Sequence, residues 1–304
     1  MDFALGEAFK LKRNYILTNK FLLLLLCATF FACSNNSEEL KKNFATTPAK
    51  EIIWKASEAA GGYDNWISKK NLKVEYTLGR HHSISKNWRY EKNVWHFEVG
   101  ERFKIHGEFD EKEDNIEQAN LNGKYKLAKN YNLIEAPEKT ELISEGEFAN
   151  KQEEYLRQVE VTRFLTISNK NFLSAPFNLI DLSKFMEFEL LPERIIQGIK
   201  TIPIKVTFKE SYPYNKDWFV YFFNAETFRI ERVFFEYANF NNFRGIANFE
   251  SPTKFGDLEL MAKRTYYRSN LNQRKASTNP SNSAEIKSIE FLDKIPEELF
   301  QGVK

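Results

Sequence analysis

The chain has 304 residues, of which 28% are charged, and its 44 basic and 42 acidic side chains leave a formal charge of +2. With both signs interspersed there is no basic field of the kind that holds nucleic acid, so nucleic acid is not an expected partner. The two cysteines, Cys27 and Cys33, both lie near the N-terminus, which excludes a disulfide framework, a thiol nucleophile and a thiolate metal site from all that follows.

The N-terminus has the order of a secretory leader. Lys10, Lys12, Arg13 and Lys20 precede an apolar run that ends in Ala32 and Cys33, and Ser34, Asn35 and Asn36 open a polar stretch. The run is about a dozen residues long, against the roughly twenty that a bilayer-spanning helix needs. Residues 1–32 therefore read as a removed signal peptide, with Cys33 the acylated first residue of the mature chain. Phe30 and Phe31 replace the aliphatic and small residues usual before such a cysteine. Cleavage without lipidation and an uncleaved anchor are the alternatives. One acyl chain binds membrane marginally and two or more anchor stably, at about 0.8 kcal/mol per buried methylene.

Residues 33–46 are polar, lack periodicity and read as a flexible lipidated tether, leaving residues 47–304 as a single domain. A helix is expected to open it. Thr47 caps, Pro48 fits the first turn, Ile52, Ile53, Ala56 and Ala60 form an apolar face, and Gly61 with Gly62 ends it. Strands follow over residues 72–78 and then around Trp95, Phe97 and Val99, which alternate with His96 and Glu98. A turn over residues 100–102 pairs Phe97 with Ile105, and a further strand is expected over residues 123–128, after an acidic loop. Residues 148–167, rich in Glu, Gln, Arg and Leu, read as a helix. Phe172, Leu173, Pro176, Phe177 and Leu179 then read as an aromatic loop able to act as a lid. The C-terminal part reads as antiparallel sheet over residues 202–208, 218–223, 228–237, 246–249, 257–267 and 285–291.

The hairpin around Asn224 is apolar on both faces, with Phe219, Tyr221 and Phe223 on one and Trp218, Val220 and Phe222 on the other. A solvated sheet alternates apolar with polar, so something covers each side. The candidate pocket residues are Phe219, Tyr221, Phe223 and Phe234, with Phe172 and Phe177 from the aromatic loop.

Catalytic patterns are missing: there is no Gly-x-Ser-x-Gly elbow, no His-Glu-x-x-His and no phosphate-binding glycine loop. No catalytic residue and no cofactor are expected. Of the four histidines, His96 falls opposite His106 in the expected register, while His81 and His82 point to opposite faces. With Glu98 and Glu108 two residues away rather than beside them, the opposed pair reads as polar-face partners, and no metal site is expected.

Two stretches carry a family likeness. One is the opening helix with Gly61, Gly62 and Trp66. The other runs from Leu191-Pro192-Glu193-Arg194-Ile195-Ile196-Gln197-Gly198 through residue 208 and on over residues 217–232. Together they resemble an uncharacterised family of Bacteroidota lipoproteins, a domain of unknown function whose layout is similar to the LolA/LolB fold. The resemblance implies an α+β fold: an open, curved antiparallel sheet, a half-barrel, with a few helices packed on it. It also implies an outer-membrane lipoprotein that binds a lipid or a lipoprotein acyl chain without catalysis. An envelope protein-interaction module with a filled core is the alternative, and a hydrolase comes third. Some Bacteroidota lipoproteins carry acidic residues directly after the cysteine as a surface-export signal. Here Glu38 and Glu39 come only after Asn35 and Asn36, so both the periplasm-facing and the surface orientation stand.

Overall fold

The computed structural model describes residues 38–81, 88–100, 103–110, 125–131, 139–144, 168, 170–212, 215–238, 242–250, 252–269 and 279–296. The chain divides into two compact units, Met1–Thr46 and Thr47–Lys304. In the first, residues 38–44 are helical (α1). These residues fall within the segment expected as a flexible tether, whose first residues, 33–37, lie outside the described ones. The leader, Cys33 and the expected helix over residues 148–167 lie outside the described residues.

The second unit opens with α2 (Pro48–Ala59), where the Thr47 side chain accepts from the Lys50 amide and Pro48 occupies the first turn. Both features satisfy or remove donors that a helix start leaves orphaned. Ile53, Trp54, Ala56 and Ala60 turn inward and are buried. Gly61 follows at φ +107°, where a Cβ would stand 2.3 Å from the Asp257 carbonyl oxygen. That close approach lets the Glu259 amide donate to the Ala60 carbonyl at 2.9 Å. A short helix, α3 (Tyr63–Ser68), then leads into the sheet.

The strands are β1 (Asn71–His81), β2 (Trp88–Glu98), β3 (Phe103–Asp110), β4 (Tyr125–Tyr131), β5 (Lys139–Ser144), β6 (Met186–Leu190), β7 (Arg194–Ile196), β8 (Ile199–Phe208), β9 (Trp218–Asn224) and β10 (Ile230–Tyr237). They continue as β11 (Phe243–Phe249), β12 (Thr253–Phe255), β13 (Leu258–Leu260), β14 (Lys263–Arg268) and β15 (Asn282–Leu292). Among the described residues the main sheet has 13 strands in the order β5-β4-β3-β2-β1-β15-β14-β11-β10-β9-β8-β6, with β7 also on β8 and β12-β13 a separate pair. Every pairing is antiparallel and the order does not close, as expected. The expected pairing of Phe97 with Ile105 is present. The expected strand over residues 257–267 is divided, because Met261 and Ala262 leave the ladder between β13 and β14.

The aromatic segment is not a loop. Residues 170–174 form a helical turn (α4), Phe177–Asp181 forms another (α5), and every residue from 172 to 180 is buried. Phe172 shows what they do. Its ring centroid lies 6.4, 5.5, 6.3 and 5.7 Å from those of Phe219 on β9, Phe235 on β10, Phe249 on β11 and Tyr266 on β14. Those strands are consecutive neighbours, and on a flat sheet the outer two would lie about 14 Å apart. One ring reaches all four because the sheet curls around it.

Candidate functional site

The concave face and its surroundings form the candidate ligand site. Phe219, Tyr221 and Phe223 share this face and are buried, together with Val233, Phe235, Tyr237, Ala247 and Phe249. Phe234 does not join them. Counted straight from the turn, Ile230 pairs with Phe223 and Phe234 would meet Phe219, but a bulge between Ile230 and Arg232 advances the ladder by one residue. Phe235 therefore faces Phe219, and Phe234 faces Val220 on the convex side, 5.2 Å from the Trp218 ring. A one-residue slip exchanges the faces of a strand.

The expected lid residues sit in the core. Phe172 is 1% exposed at the centre of the ring cluster, and Phe177 is 0% exposed and stacked on Trp66. Polar groups accompany them. The Arg264 guanidinium lies over the rings of Phe172 and Tyr266 and donates to the Tyr266 hydroxyl. Ser168 and Tyr237 share a hydrogen bond of 2.7 Å. Burial raises the pKa of the Tyr221 hydroxyl, against a smaller opposing effect of the Asn178 side chain, and burial raises that of Tyr237 as well. Both phenols stay neutral across the physiological range.

Lys170 on α4 is buried, and its Nζ donates to the Gly100 carbonyl at 3.0 Å. Burial pulls its pKa down to about 7, partly opposed by the charges of Asp181 and Glu98. Asp181 in turn accepts from the Tyr63 hydroxyl at 2.8 Å and from Trp66 Nε1 at 3.2 Å.

Space remains at the end of α2. A small recess of about 20 Å³, partly open to solvent, is walled by Ala56, Ala59 and Ala60, by Ala175 and Pro176, and by Phe228, Ile230, Pro252 and Met261. Its charged lining residues are Arg229 and Glu259, which are ion-paired to each other. The volume is far below the roughly 300–1,000 Å³ of a preformed small-ligand pocket, so a ligand larger than a water molecule has to widen it. The alanines make this room, because a larger side chain at those positions would fill it. Nothing in the sequence pattern marks the recess, since it depends on where the β12–β13 hairpin meets α2.

His96 and His106 do fall opposite each other in register, although the side chain of His106 lies outside the described residues. Among the described residues there is no group of three or more His, Cys, Asp or Glu placed to hold a metal ion.

A DUF1329 family protein from Desulfovibrio piger superposes on 84% of this chain and 98% of its own, with a TM-score of 0.51 at 13% sequence identity. The two share a fold. A putative outer membrane lipoprotein-sorting protein domain from Vibrio parahaemolyticus matches 82% of this chain and 94% of its own at 10% identity, with a TM-score of 0.48. A LolA superfamily protein from Nitrosomonas europaea gives 84%, 98%, 10% and 0.48 for the same quantities. No family model matches the sequence, and no curated protein matches it.

Proposed function

We propose that the protein is an envelope lipoprotein, held to the outer membrane through Cys33, that binds an apolar ligand and catalyses no reaction. The ligand class is a lipid or the acyl part of a lipoprotein. The observation that supports this reading is the curled sheet with its aromatic concave face, beside which the small recess at the end of α2 opens toward solvent. The walls of the recess are apolar except for one internally neutralised ion pair, and the recess adjoins the aromatic interior through Ala175 and Pro176. An acyl chain that enters there has to widen the recess, and it gains about 25 cal/mol per Å² of apolar surface removed from water.

One observation favours a second reading. The concave face is occupied by α4 and α5, as in an interaction module whose core is full. Uptake of a fluorescent fatty acid and native mass spectrometry separate the two. The binder reading expects uptake, and it expects Ala59→Trp, which fills the mouth of the recess, to abolish it. Repeated absence of bound lipid together with no uptake would sink the binder and leave the module. Replacing Cys33 with Ser is expected to release the chain from the membrane fraction, whereas retention there would favour an uncleaved anchor.

A further inference from the structure

Three of the five large apolar side chains that stand exposed among the described residues belong to one corner of the sheet: Ile195 at 77%, Leu190 at 43% and Ile199 at 37%. Soluble proteins scatter such residues singly, so the clustering calls for an apolar neighbour. The corner is well built. Ile196 pairs with Ile199 across a two-residue turn, Gln197 and Gly198, whose φ values of +51° and +83° belong to the tight turn matched to strand twist.

The register places Ile195 beside Lys200 on one face of this hairpin and Ile196, Ile199 and Arg194 on the other. The tip is thus apolar on both faces, with basic side chains set behind it. Lys200 is ion-paired with Glu193 at 2.8 Å, which leaves Arg194 as the cation next to the tip, with Glu187 and Glu189 farther along the edge.

The edge itself resists strand addition. Between the pairs Leu190–Ile204 and Arg194–Thr201, residues 191–193 face only residues 202 and 203, which makes a bulge containing Pro192. Glu187, Glu189 and Glu193 are exposed along the same edge. A bulge, a proline and like charges are devices that keep sheet edges from pairing. A second copy brought edge to edge would set these carboxylates against one another. A protein groove would cover one face of the tip, whereas a lipid surface surrounds both.

We propose that the β7–β8 turn is a lipid-surface contact, in which Ile195, Ile196 and Ile199 enter the apolar margin of an anionic bilayer while Arg194 stays among the headgroups. Interfacial binding of this kind combines buried apolar area with attraction to anionic lipid. The contact stands whether or not the recess holds a ligand.

The test is amide hydrogen exchange on the full chain, with and without phosphatidylcholine vesicles containing phosphatidylglycerol. Exchange over residues 194–200 is expected to slow about tenfold on the vesicles, the factor that withdrawing one isoleucine from water supplies. The double substitution Ile195→Asp and Ile199→Asp is expected to remove that protection. Both positions are exposed, so an unchanged melting temperature shows the variant folded. Unprotected residues 194–200 on vesicle-bound chain would overturn the proposal, and so would equal protection in the variant. Protection that rises with protein concentration without vesicles would assign the corner to a second copy and overturn it as well.

Discussion

Trp66 lies face to face on Phe177, with ring centroids 4.9 Å apart and planes 6° from parallel, and both side chains are fully buried. The stack joins α3 to α5, and Asp181 reinforces it by accepting from the Trp66 indole at 3.2 Å. Phe177→Ala removes the lower ring while leaving the upper one over a void. The expected cost is about 3–5 kcal/mol of unfolding free energy, from lost transfer and residual cavity. Urea unfolding followed by tryptophan fluorescence measures it, and a loss under about 1 kcal/mol would contradict the packing described.

The assignment of faces along β10 can be checked with neighbouring residues. Phe235 is 3% exposed inside the curl, whereas Phe234 is half-buried on the convex side. Phe235→Ser leaves a cavity beside Phe172 and strands a hydroxyl in it, for an expected cost of about 4 kcal/mol. Phe234→Ser is expected to cost about 1 kcal/mol, since its replacement hydroxyl reaches water. Equal costs in thermal unfolding would mean that the bulge after Ile230 is misplaced.

Gly61 is held by two constraints at once. Its φ of +107° lies where L side chains are strained, and a Cβ there meets the Asp257 carbonyl at 2.3 Å. Gly61→Ala is expected to cost more than the roughly 1 kcal/mol of strain alone, because the β12–β13 hairpin must also withdraw from α2. The Glu259 amide would then lose its bond to Ala60. Its hydrogen exchange, followed site by site, is expected to accelerate, and an unchanged rate would argue against the close approach.

Much of this architecture was legible in residue order. The cap at Thr47, the antiparallel C-terminal strands and the two apolar faces of the β9–β10 hairpin all follow from local patterns. The pairing of Phe97 with Ile105 follows from alternation and turn length. The failures have specific causes. A helix buried on every side has no polar stripe, so residues 170–181, interrupted by Pro176, show no 3.6-residue periodicity and resemble a loop. Phe234 reads from the sequence as a pocket residue because alternation cannot reveal a bulge when Val233, Phe234 and Phe235 are all apolar. The recess was invisible for a different reason. Ala56, Ala59 and Ala60 look like ordinary helix formers until the distant β12–β13 hairpin arrives beside them.

Lys170 gives the clearest dependence on pH. Its ammonium is buried on α4 against the Gly100 carbonyl, and burial draws its pKa from 10.5 to about 7 despite the opposing charges of Asp181 and Glu98. In the unfolded chain the same group titrates near its ordinary value of about 10.4. Between these two values the unfolded state binds more protons than the folded one, so stability rises with pH. The destabilisation is fully present below the folded value and is relieved progressively above it. Tyr221 and Tyr237, whose hydroxyls are held neutral by burial, work in the opposite direction once pH passes about 10. The gain is therefore expected between about pH 7 and pH 9, a span worth up to about 3 kcal/mol for one proton. Urea unfolding across that span measures the slope. Lys170→Met keeps the length of the side chain without the charge, and its slope is expected to flatten. Should the variant retain the full slope, the titration belongs to another group and Lys170 is neutral or better compensated than its surroundings indicate.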